Sequence, residues 1–249
     1  MIRRSSIHKK VPAEYFLHAG DILEKKVAPP WDFHIHSNFA DGKASVKEIF
    51  DIAVQEGLEA IVFTEHTEPW RFKNTSWYLE YFNEIERFRR IYCNRLEAFI
   101  GIESSAVTFS GDLDATDEML ETAEFILGAA HRYPEIGNLK VQELKDNQAI
   151  DMEYKTLIGL SINQNIDAIA HIGATCAKYC TSFPQHLVRE IIALSSRNKI
   201  AVEINPVYNK PLIPFLEICA EEDAKVTLGS NAHGFKDIGL VGRELNKLF

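Results

Sequence analysis

Two hydrophobic patterns alternate along the chain. Compact apolar runs recur at Trp31–Ser37, Ala60–Glu65, Ala98–Glu103, Phe125–Ala130, Asp167–Ile172, Ile200–Asn205 and Val226–Ser230. Runs such as AIVFTE and AVEIN are compact and mostly apolar, a pattern that suits parallel strands covered on both faces. Between these runs the apolar positions return every three or four residues, as on one face of a helix.

Local signals place several of the helices. Ser45-Val46-Lys47-Glu48 reads as a capping box, in which the Ser oxygen accepts an N–H while Glu48 reaches back. Ile49, Ile52, Ala53 and Glu56 follow at helical spacing, and Gly57 supplies a stop. Trp77–Cys93 predicts a longer amphipathic helix with Tyr78, Tyr81, Phe82, Ile85 and Phe88 on its apolar side. Pro184–Ser195 and Leu212–Glu222 predict two more. Arg132–Gln148 lacks a clear period and reads as a long loop on the active face. Strand followed by helix, repeated without a break in composition, argues for one α/β domain: a closed or nearly closed (β/α) barrel over residues 31–249. Residues 1–30 read as an N-terminal extension outside it.

Charge and composition narrow the function. The 249 residues are 46% hydrophobic and carry a net charge of −9, with a pI near 5.5. An acidic chain without a basic stripe is a poor match for long nucleic acid. It remains compatible with a small anionic substrate, because bound cations can reverse the local charge. No apolar run approaches the roughly 20 residues needed to span a bilayer. The basic start MIRRSSIHKK leads into VPAEYFLHAG, not a long apolar segment, so no signal peptide is expected. A cytoplasmic protein with free thiols at Cys93, Cys176, Cys180 and Cys219 follows.

Marking where the predicted strands end changes the picture more than composition does. The first delivers His34 and His36, the second Glu65-His66, the third Glu103, the fourth His131, the fifth His171 and the seventh Asn231-Ala232-His233. Six of the nine histidines therefore stand at strand C-termini, the face on which (β/α) barrels assemble their chemistry. Imidazole nitrogens and carboxylate oxygens bind first-row divalent cations. Strand alternation puts His34 and His36 on one side, and a carboxylate such as Glu103 can bridge two ions. So many donors suit two or three ions better than one. His8, His18 and His186 fit no such pattern and are expected at the surface; Glu203 lies in mid-strand and is a candidate to line the barrel.

At these positions the chain resembles the PHP (polymerase and histidinol phosphatase) superfamily. Asp32-Phe33-His34-Ile35-His36-Ser37 with Asp41-Gly42 looks like its first motif and Thr64-Glu65-His66 its second. Gly101-Ile102-Glu103, Ala130-His131, Ala170-His171 and Gly229-Ser230-Asn231-Ala232-His233 resemble the others, in order, over about residues 31 to 239. The resemblance implies a distorted, TIM-like (β/α) barrel of seven strands. It also implies a multinuclear site with His34, His36, Asp41, His66, Glu103, His131, His171, Asn231 and His233 as ligands. Glu103 would bridge. Zinc, manganese or iron suits this imidazole count better than magnesium. The last motif usually carries Asp where this chain has Asn231, a donor without charge, which implies that one ion is held less tightly. Asp32 and Glu65 are expected to orient ligating histidines through their second ring nitrogens.

The implied reaction is hydrolysis of a phosphate ester, most simply a small phosphomonoester, by a metal-activated water. His66 and His233 are candidates to protonate the leaving alkoxide. Arg132, Arg71, Lys178 and Lys210 are candidates to bind phosphate. The stretch from Glu65 through Trp70, Tyr81 and Ile85 to Glu103 looks similar to the histidinol-phosphatase branch, whereas Leu127-Gly128-Ala129-Ala130-His131 departs from that branch's serine-valine-histidine wording. A nuclease or nucleotide phosphoesterase, or a non-catalytic metal-binding module, are the alternative readings.

Overall fold

The apolar runs form one curled sheet. A computed structural model describes residues 10–72, 76–137 and 139–249. In chain order the strands are β1 (Leu17–His18), β2 (Trp31–Ile35), β3 (Ala60–His66), β4 (Glu97–Ser105), β5 (Phe125–Ala129), β6 (Ala168–Ile169), β7 (Ala201–Ile204) and β8 (Lys225–Leu228). The sheet order is β1-β8-β7-β6-β5-β4-β3-β2. β2 to β8 pair in parallel, whereas β1 runs antiparallel to β8. The two ends of the sheet meet just beyond β8: His36 N–H donates to the Ala232 carbonyl (2.9 Å) and Ala232 N–H to the His34 carbonyl (3.0 Å). The seven runs expected from the sequence are thus the seven parallel strands of a nearly closed barrel.

The helices are α1 (Ala19–Lys25), α2 (Val46–Gln55), α3 (Trp77–Tyr92), α4 (Asp117–Thr122), α5 (Asp146–Leu160), α6 (Ala174–Tyr179), α7 (Gln185–Arg197), α8 (Leu212–Glu221) and α9 (Leu240–Leu248). α2 starts at the expected capping box, with Ser45 N–H donating to Glu48 Oε2 (2.8 Å) and Glu48 N–H to Ser45 Oγ (3.3 Å). Gly57, just beyond its end, has φ +73°. α5 begins inside the segment expected to be loop. Its buried side carries Glu153 and Thr156 beside Ala149, Leu157 and Leu160, so polar residues interrupt the apolar period that would have revealed it. No described helix is long and apolar enough to cross a membrane.

Residues 10–30 belong to the barrel and do not lie outside it. β1 pairs with the first residues of β8, where β2 does not reach. The Tyr15 ring lies 4.7 Å from Trp31 and 5.6 Å from Phe99, and Phe16 lies 6.2 Å from Phe125. With Phe33 and small residues such as Ala60, Ala168 and Ala201 they fill the barrel interior. These aromatics make a dry floor, and polar groups standing on it interact in a low dielectric.

Candidate metal centre

The inward positions of each strand, continued by two residues at a time, lead from the floor to the donors. Val62 leads through Thr64 to His66, Phe99 through Gly101 to Glu103, Ala129 to His131 and Ala201 to Glu203, so alternation alone delivers these four. β2 needs more. Its register shifts between Asp32 and Ile35, and this bulge lets Phe33 face the floor and His34 and His36 the mouth, a re-aiming that bulges perform beside functional sites.

Glu103 is the hub. His171 Nε2 lies 2.9 Å and His131 Nε2 3.1 Å from its Oε1, with His34 Nε2 at 3.4 Å; His66 Nδ1 lies 3.1 Å and His36 Nε2 3.5 Å from its Oε2. A second group surrounds Asp41, with His233 Nε2 at 3.2 Å and His66 Nε2 at 3.5 Å. His34 Nε2 and His36 Nε2 face each other at 3.0 Å. Two donors bound about 2.0–2.2 Å from one ion stand roughly 3 Å apart, the spacing seen here between Nε2 of His34 and of His36 and between Glu103 and the His131 and His171 rings. Glu103 Oε2 and Asn231 Oδ1 are buried without a hydrogen-bond partner. Buried polar atoms left so are costly unless a cation completes them. The donors form several groups able to hold an ion, and their mixture of imidazole and carboxylate fits a first-row divalent metal.

Proton distribution among these side chains reflects their crowding. Burial opposes charge on His34, but Glu203 and Glu103 raise its pKa to about 10. Burial likewise opposes charge on His131, and Glu103 and Glu68 lift it to about 10. His36 is pushed well below the usual range by burial and by His66. Glu103 is held well below the usual carboxylate range because His131, His34 and His66 outweigh its burial.

The carboxylates that support the rings are not the expected ones. Asp32 accepts backbone N–H groups from Gly239 (2.7 Å), Ser230 (2.9 Å) and His34 (3.3 Å), and Glu65 accepts that of Ser37 (2.5 Å). Glu65, adjacent to His66, falls on the outer side of the alternation, and Asp32 stands outside because the bulge in β2 lies between it and His34; both pin the ligand-bearing loops. Glu203 takes the ring-orienting part instead, with Oε1 2.6 Å from His34 Nδ1. Glu68 was missed altogether. It is 2% exposed and lies 3.3 Å from His131 Nδ1 and 3.6 Å from His66 Nδ1. Its signal was available, since it follows His66 by two residues.

The mouth is a cavity of about 520 Å³ lined by Asp41, His66, Arg71, His131, His171, Lys178, Tyr208, Asn231 and His233. Of the expected cations, Arg71 and Lys178 line it. Arg71 pairs with Asp41 (2.7 Å) and Glu68 (2.8 Å). Arg132 turns away, donating to the Gly137 carbonyl beside a different cavity, and Lys210 lines a neighbouring one with Phe183 and Phe215. Loop path, not nearness to His131 in sequence, decides where Arg132 points. Asn231 has φ 50°, a left-handed conformation that Asn tolerates. Of the histidines outside the pattern, His18 and His186 are exposed and His8 lies outside the described residues.

A strand-end set of imidazole and carboxylate donors on a curled parallel sheet defines a candidate metal centre at a barrel mouth. The PHP domain family matches residues 32–206, and the chain belongs to that family. The family match and the phosphatase relatives it shares support metal-dependent phosphoester hydrolysis. The chain is similar to a histidinol-phosphatase of Lactococcus lactis subsp. lactis, 28% identical over 239 residues, covering 81% of this chain and 83% of the relative. It is 24% identical to a probable phosphatase of Caldicellulosiruptor bescii, covering 83% and 80%. The crystal structure of the Lactococcus lactis histidinol phosphate phosphatase, complexed with zinc, L-histidinol and phosphate, superposes with a TM-score of 0.69 at 23% identity, covering 88% of this chain and 92% of that one.

Proposed function

We propose that this chain hydrolyses a small phosphomonoester at a centre of two or three divalent ions. The observation that carries this reading is the convergence of five imidazoles on Glu103 at ligand spacing. His34, His36, Glu103 and Asn231 would hold one ion; Glu103, His131 and His171 a second; Asp41, His66 and His233 a third. Zinc, manganese or iron suits this donor set. Residues 31–249 would form the catalytic unit, with residues 10–30 contributing to its floor.

The bound ions would supply an activated water and neutralise charge on the phosphoryl oxygens. Arg71 and Lys178 would bind the phosphate at the mouth. Tyr208, whose ring lies 5.6 Å from that of His171, would close the other wall. His233 Nδ1 faces the Asn231 carbonyl at 2.9 Å and so carries the proton, leaving Nε2 toward Asp41. In a three-ion centre this nitrogen would be a ligand. In a two-ion centre the protonated His233–Asp41 pair would donate to the leaving alkoxide. His233 suits this better than His66 because its side chain is 35% exposed against 6%.

The test is to strip the protein, reload it with zinc, manganese or ferrous iron, count ions per chain, and assay phosphomonoesters and diesters. Histidinol phosphate belongs in the panel because of the Lactococcus relative. Turnover of monoesters over diesters is expected. No turnover of any monoester by protein carrying two or more ions would overturn the reading.

A further inference from the structure

We propose that Glu68 is a positioning residue that serves two parts of the centre at once, fixing the His131 ring as a ligand and the Arg71 guanidinium at the mouth. The inference rests on the metal-dependent reading above.

The argument begins with which ring nitrogens can be used together. His34, His36, His131, His171 and His233 all present Nε2 to Glu103 or Asp41. A neutral ring that gives Nε2 to an ion keeps its proton on Nδ1, and that proton needs an acceptor which also sets the ring's rotation. For His34 the acceptor is Glu203 at 2.6 Å. For His131 the neighbours of Nδ1 are Ser105 Oγ at 2.9 Å and Glu68 Oε1 at 3.3 Å, and Ser105 Oγ donates onward to Glu68 Oε1 at 3.1 Å. The proton of His131 therefore feeds a short relay that terminates on a buried negative charge.

The other oxygen of Glu68 is already committed. Oε2 accepts Arg71 Nε at 2.8 Å, while Arg71 Nη1 donates to Asp41 at 2.7 Å. Arg is thus held along one edge beside the mouth, and the carboxylate that holds it is the one that orients His131. Direct ligation by Glu68 is the competing arrangement, since Glu68, His66 and His131 are close enough to share an ion. That ion would need Nδ1 of His131, whose Nε2 already faces Glu103, and one imidazole cannot serve both ions without becoming an imidazolate. The arrangement around Glu103 uses more donors at shorter distances, so Glu68 acts as a hydrogen-bond acceptor.

The experiment compares wild type, Glu68→Gln and Arg71→Met in three readouts. Zinc affinity is measured by competition with a chromophoric chelator, coordination by the visible spectrum of the cobalt-loaded protein, and KM and kcat with an aryl phosphate. Glu68→Gln is expected to weaken one zinc by 10–100-fold and to raise KM, with the cobalt band positions unchanged at saturation. Arg71→Met should raise KM without weakening any ion. Ser105→Ala, which cuts the relay but keeps Glu68, should weaken the same ion and decides the matter where Glu68→Gln does not fold. Zinc affinity and KM both within twofold of wild type in Glu68→Gln would overturn the proposal. So would outright loss of one ion with a shifted cobalt spectrum, because Glu68 would then be a ligand. Absence of turnover by wild type would count against the hydrolase reading alone, since the zinc and cobalt measurements still decide the role of Glu68.

Discussion

Glu203 joins the two sides of the mouth: its Oε1 lies 2.6 Å from His34 Nδ1, and its Oε2 accepts the His171 backbone N–H at 2.6 Å. The room for it comes from Gly229, where a Cβ would stand 2.1 Å from that same Oε1. Replacing either residue should therefore damage one function. Glu203→Gln removes the charge that orients His34, and Gly229→Ala displaces the carboxylate. Each should lower metal affinity by about 10–100-fold, read by chelator competition. Full affinity in both variants would refute the orienting role.

Asn231 offers an uncharged oxygen that is buried and unpartnered. Asn231→Asp keeps the left-handed backbone accessible and adds a charge at a site suited to a cation. It should tighten the weakest ion by about tenfold or more and raise the ions bound per chain at limiting zinc, measured by elemental analysis. Unchanged stoichiometry and affinity would mean that Asn231 does not face an ion.

Metal binding should depend on pH in a stated direction. Without a cation, His34 and His131 hold protons up to about pH 10, and a ligating imidazole must lose the proton on the nitrogen that binds. Affinity should rise with pH across the neutral range, with protons released on binding. Titration calorimetry in buffers of different ionisation enthalpy reads that release directly, and zero release near pH 7 would contradict the ligand set.

Away from the metals, Glu153 on α5 gives a stability prediction. Its Oε2 accepts Tyr133 Oη (2.7 Å) and the Cys176 N–H (2.5 Å), tying the loop after β5 and the start of α6 to α5. Burial raises its pKa from 4.5 to about 7, against the hydrogen bonds from Tyr133 and Cys176. The folded state thus binds this proton more tightly than the unfolded chain. The associated stability is fully present below about pH 4.5 and is lost as pH rises through about 7, amounting to roughly 3 kcal/mol. Glu153→Gln should flatten the pH dependence of urea unfolding between these limits. An unchanged slope would show that Glu153 does not titrate there.

What the chain determined by itself was the list of strands and the donors at their ends. Apolar runs encode two-sided burial, and alternation carries inward residues such as Val62 and Phe99 up to His66 and Glu103. Local chemistry likewise set the start of α2 at Ser45. Tertiary structure alone decided the rest, because it depends on which elements meet. The bulge in β2 decided that His34 and Phe33 share the barrel interior. Glu203 and Glu68 became partners of His34 and His131 across strands far apart in sequence, while Asp32 and Glu65 turned outward to hold backbone. Arg71 reached the mouth and Arg132 did not, although Arg132 adjoins a ligand candidate. Residues 10–30 became the floor only because the sheet left a gap beside β8 for Tyr15 and Phe16 to fill. Periodicity specifies the side of a strand on which a residue lies; the path of the loops and the closure of the barrel specify what it meets there.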